Sequence, residues 1–121
     1  MDRRKRLAAL PKEKLIELLE IYAKDWLAMD GVWFQSVEKE LGMEAAMRHD
    51  VAIWKRFTVI EAQKIRKFLG LPERPGLEGL AEALRFRLYA NINEDEILWE
   101  DGTLIYRTLT CRVQHARQSK G

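Results

Sequence analysis

A chain of 121 residues with 47% hydrophobic and 33% charged side chains is long enough for one domain with its own core. A single cysteine excludes an intramolecular disulfide, and no apolar run approaches the roughly 18 residues of a membrane span. The net charge of +2 resides in the basic start Arg3-Arg4-Lys5-Arg6; the rest is near neutral, so nucleic acid is not an expected partner.

Residues 1–9 read as a basic, disordered terminus, with too short an apolar segment to be a secretory leader. A cytoplasmic location with no membrane partner is expected. Residues 10–121 read as one helical domain. Its first helix opens at Leu10-Pro11, where proline suits the first turn. Apolar side chains then recur at Leu15, Leu18, Leu19, Tyr22, Trp26, Met29, Trp33, Val37 and Leu41, in steps of three and four that keep one face for about seven turns. The spacing runs through Asp30-Gly31 without a change of phase, so one long helix is predicted, ending at Gly42.

A second helix is predicted from Met43 to Leu69, with Met47, Val51, Trp54, Ile65 and Phe68 on one side and Gly70 closing it. Two long helices joined at one glycine form an antiparallel pair. The proline-rich stretch from Leu71 to Gly76 is a linker. A third, shorter helix fits from Leu77 to about Tyr89, although Phe86, Leu88, Ala90 and Ile92 also alternate like a strand. Asp101-Gly102 between two β-prone runs then signals a hairpin. In its second strand Ile105, Leu109, Cys111 and Val113 share one face, predicted to turn toward the helices. The expected class is mostly α, in the order α-α-α-β-β.

Polar residues at core positions are the candidates for chemistry. Asp50 and Glu61 fall within roughly 40° of Trp54 around the second helix, and carboxylates on an apolar face need partners. Facing carboxylates of the first helix, Asp30, Glu38 and Glu40, together with His49 would make a divalent-metal site, zinc or iron, or an acid–base pair. Against this, Glu44 and His49 are five apart, not the spacing of a di-iron bundle, and no second histidine stands at ligand spacing. The structural alternative pairs Asp50 and Glu61 with Arg48, Lys55, Arg85, Arg87 or an indole N–H. Trp26, Trp33, Trp54 and Phe57 read as core aromatics. Cys111 reads as a small buried hydrophobe, with Arg112, Gln114 and Arg117 beside it as groups that could lower its pKa. His115 lies about 13 Å from it along an extended strand, too far to be its base.

Three stretches, Asp30–Ala46, Trp54–Pro72 and Phe86–Glu94, together with Cys111-Arg112-Val113-Gln114-His115-Ala116-Arg117, carry a resemblance. From about Leu10 onward the chain resembles an uncharacterised family of prokaryotic proteins labelled cytosolic protein or domain of unknown function. More loosely it is similar to the L-2-amino-thiazoline-4-carboxylic acid hydrolase family. The resemblance implies matching positions at Trp33, Phe34, Glu38, Asp50, Trp54, Glu61, Cys111, Arg112 and Gln114. It also implies a cysteine-rich continuation after Arg117 that Cys111 would face, and hence an incomplete domain ending at Gly121. No catalytic motif of the hydrolases carries over residue by residue. The expected function is a small-ligand- or metal-binding domain with Glu38, Asp50, Glu61 and Cys111 as ligating candidates and Trp33, Trp54, Arg112 and Gln114 in support. The alternatives are a metal- or thiol-assisted hydrolase of small C–N or thiazoline-like substrates, and a homo-oligomer paired through its hairpin edge.

Overall fold

The computed structural model describes residues 2–110. The elements run α1 (Arg3–Ala8), α2 (Lys12–Leu41), α3 (Met43–Phe68), α4 (Gly76–Leu84), a 3₁₀ turn (Leu88–Asn91), β1 (Glu94–Glu100) and β2 (Thr103–Thr110). The chain is mostly helical and ends, among the described residues, in an antiparallel hairpin, the class expected from its periodicity.

Helix α2 continues unbroken through Gly31, because apolar spacing on both sides keeps the same phase and one glycine costs only about 1 kcal/mol. The reversal into α3 takes a single residue. Gly42 lies at φ 89°, ψ 168°, a region that essentially only glycine enters. Its N–H caps the carbonyl of Glu38 at 2.8 Å, and its own carbonyl accepts from Ala46 at 3.1 Å, so both helices are tied off at the turn. Helix α3 closes with the N–H of Leu71 on the carbonyl of Arg66 and that of Gly70 on Lys67, the pattern of a glycine-terminated Schellman cap.

Three local expectations are corrected. The irregular terminus expected over residues 1–9 contains helix α1, since Arg3-Arg4-Lys5-Arg6-Leu7-Ala8 is built of good helix formers; every one of these side chains is exposed. The third helix stops at Leu84, not near Tyr89, and the chain is redirected through the 3₁₀ turn. The inward face expected for the second hairpin strand also fails at Leu109, while Ile105 is half-buried and Cys111 and Val113 lie outside the described residues. Asp101 (φ 48°) and Gly102 (φ 77°) make the two-residue turn of positive φ that the sequence signals. The register pairs Ile97 with Tyr106 and Trp99 with Leu104, and the face bearing Trp99 and Tyr106 is turned toward α4 and Arg87. Leu109, expected to point inward, is 58% exposed, and a register irregularity at Glu94/Asp95 breaks the alternation before Cys111.

Helices α2 and α3 lie against each other, α2 touches the 3₁₀ turn, and α4 bridges α3 and β2. The core between them is thin. Among the described residues the buried apolar ones are Ala23, Phe34, Ala45, Ala46 and Ala81, and no large side chain is fully buried.

Candidate functional site

A first polar arrangement is centred on Glu61, which α3 projects toward the segment after α4. Its Oε1 accepts from Arg87 Nε at 3.1 Å, and its Oε2 accepts from the backbone N–H of Leu88 at 2.7 Å. Leu88 is the first residue of the 3₁₀ turn, whose N–H has no partner within the turn, so a carboxylate from another element caps it. The Glu61 side chain is only 10% exposed and that of Arg87 is 36% exposed. Both oxygens of Glu61 are thereby engaged in holding the chain together.

Asp50 sits half-buried on the same side of α3, but eleven residues of unbroken helix separate it from Glu61, about 16 Å along the axis. The two carboxylates do not share one site. Glu38 is half-buried on α2. Among the described residues no three His, Cys, Asp or Glu side chains gather closely enough to hold a metal ion. Cys111, Arg112, Gln114 and His115 lie outside the described residues.

A second arrangement links the hairpin to the same region. Tyr106 donates its hydroxyl to Asp95 Oδ2 at 2.8 Å, and these two residues are diagonal neighbours in the β register. The Tyr106 pKa is raised above its ordinary value, first by burial, then by the hydrogen bond to Asp95 and that carboxylate's negative charge; Arg87 and Thr108 act in the opposite sense. A phenol held neutral in this way is a structural donor and a poor base.

The third arrangement is a cleft between α2, α3 and the 3₁₀ turn. Trp26, Asp30 and Trp33 form one wall, Ile53, Trp54 and Phe57 the other, and Met29, Leu88 and Tyr89 complete it. The cleft has a volume of about 80 Å³. The rings brace one another: Trp54 stands edge-on to Phe57 with centroids 5.3 Å apart and tilts against Tyr89 at 5.5 Å. Asp30 is 6% exposed, and its Oδ1 accepts from the indole N–H of Trp33 at 3.2 Å, one helical turn away, which fixes that ring.

The structure thus brings Trp33 and Trp54 together in the cleft and leaves Asp50 and Glu61 far apart along α3. Three participants, Tyr89, Asp95 and Tyr106, escape sequence reasoning. Tyr89 reaches the cleft only because the chain is redirected after Leu84. The Asp95–Tyr106 pair could have been found by counting outward from Asp101-Gly102, since a two-residue turn fixes the register.

Fold and clefts define a helical-hairpin domain with an aromatic cleft beside a carboxylate-capped turn. Residues 8–121 match a family of unknown function (DUF6125), and the chain belongs to that family. No curated protein and no solved structure matches it.

Proposed function

We propose that the protein is a small-ligand-binding domain and that the ligand enters the aromatic cleft. The observation that supports this reading is the wall of five aromatic side chains, Trp26, Trp33, Trp54, Phe57 and Tyr89, around an open space. Small-molecule sites are typically apolar concavities with few polar groups, and this one has Asp30 as its single acidic residue. Its about 80 Å³ suits one ring or a short branched chain and not a nucleotide-sized cofactor. The matching class is therefore a small, largely apolar or aromatic molecule that stacks on Trp54.

Metal binding draws less support, because the described carboxylates are dispersed and Glu61 is engaged by Arg87 and Leu88. A zinc or iron site would have to be built around Cys111. The hydrolase reading, with thiazoline-like substrates, rests on resemblance alone. A cytoplasmic location is favoured by the single cysteine, and no helix among the described residues is long and apolar enough to cross a membrane.

Ligand-observed NMR with a panel of small aromatic and aliphatic fragments tests the proposal. Fragments are expected to bind the wild type and Trp99→Ala, whose ring lies outside the cleft, and to lose binding to Trp54→Ala. Binding that survives Trp54→Ala, or no binding by any fragment, would sink the ligand reading.

A further inference from the structure

We infer that the protein is a homodimer in which a second copy of the chain covers the exposed seam of α2. Along this helix Leu15, Leu19, Tyr22, Trp26, Met29 and Trp33 follow steps of four and three, the 3.5-residue period of a coiled-coil seam. A helix that meets only its own hairpin partner would bury such a seam. Here Leu19 is 54% exposed, Tyr22 53%, Trp26 55% and Met29 58%. Helix α3 instead packs on the adjacent side of α2, where Ala23, Asp30 and Phe34 are buried. One side of α2 is occupied within the chain, and on the heptad face beside it Leu19, Tyr22, Trp26 and Met29 each keep more than half of their surface exposed.

The area fits a second copy. Leu19, Tyr22, Trp26 and Met29 each leave about half of their surface in water, roughly 500 Å² in all. Residues flanking the stripe bring this toward the about 800 Å² per partner of a standard interface. A heptad seam is self-complementary, each knob entering a hole made by equivalent residues of the other copy, so a two-fold dimer needs no further surface.

Other occupants fit less well. Residues 111–121 contain Cys111, Val113 and Ala116 as their only apolar side chains, too few to cover the stripe. A lipid surface favours a helix rich in lysine and arginine, whereas Lys12, Lys14 and Lys24 on this stretch are outnumbered by Glu13, Glu17, Glu20 and Asp25. Trp26, Met29 and Trp33 of the seam also line the cleft, whereas Leu19 and Tyr22 lie outside it, so substitutions at these two test the dimer separately from the ligand reading.

Sedimentation velocity of the full chain, followed from low to high micromolar concentration, reads the outcome. The wild type is expected at twice 14.2 kDa. The double variant Leu19→Glu, Tyr22→Glu is expected to raise the dimer dissociation constant by roughly a hundredfold or more. Ile21→Glu, on the far side of α2, is expected to leave the mass unchanged. A wild type that stays monomeric throughout, or a double variant that remains a dimer, overturns the inference. Should the double variant lose its helical circular dichroism, amide exchange of the wild type decides instead. Protection across Leu15–Met29 must rise with protein concentration; protection there that ignores concentration overturns the inference equally.

Discussion

Replacing Glu61 by glutamine keeps the shape of the side chain and removes its charge, which isolates what that carboxylate does. In the wild type it accepts two hydrogen bonds, one from Arg87 Nε and one from the Leu88 N–H. Hydrogen bonds to a charged group contribute about 1.5–3 kcal/mol each when buried. The Arg87 bond is discounted toward the lower end, since its donor is 36% exposed and partly screened by water. Glutamine retains one acceptor oxygen, which can keep the Leu88 N–H as a neutral bond, while its amide nitrogen opposes Arg87. The expected loss is about 2 kcal/mol. With an unfolding entropy of about 2.1 cal/mol/K per residue, this lowers the Tm by about 8 °C for a chain of this length. Urea unfolding at one fixed protein concentration measures it, because self-association would otherwise add a concentration term. A double-mutant cycle with Arg87→Gln separates the pair from the cap, and a coupling under about 0.5 kcal/mol would assign the stabilisation to the Leu88 bond alone. If Glu61→Gln unfolds at the wild-type urea midpoint, the carboxylate is not the cap described above and the reasoning fails.

Two further outcomes are expected. Gly42→Ala should cost about 1–3 kcal/mol of stability in the same urea assay, purely from its backbone conformation, because an added Cβ meets no atom within 4 Å; a neutral result would mean that the reversal relaxes to an ordinary φ. Ultraviolet titration should show Tyr106 ionising above its usual range, with Asp95→Asn bringing it down. Since its folded pKa is raised, the associated stability is fully present below the unfolded value of about 10 and lost as pH rises through the folded one; ionisation at or below the ordinary value contradicts this.

The long helices are legible because their side chains repeat with the helical period and because proline and glycine stand at their ends. The end of the third helix is not, since the residues after Leu84 suit two periodicities and the choice is made by Glu61, which binds the Leu88 N–H from 27 positions away. The same separation explains the site. That a carboxylate on an apolar helical face requires a partner follows from local pattern, whereas choosing Arg87 among the nearby cations requires the tertiary fold. The exposure of Leu109 has a related reason. Leu109 has the apolar character of a core residue, but on the opposite face Trp99 lies against α4 and Tyr106 is tied to Asp95 within the hairpin.

The one-residue reversal at Gly42 also sets the order in which the chain can assemble. Helices of 30 and 26 residues joined there meet first next to the turn, where closing the loop costs least entropy. The buried Ala45 and Ala46 lie within the first turn after Gly42, and their small side chains let the two backbones approach early. Pairing then spreads outward toward Lys12 and Phe68. Substitutions near Gly42 should accordingly slow refolding, while those at the open end, around Tyr22 and Glu61, should chiefly accelerate unfolding, a partition that denaturant-dependent rates resolve directly.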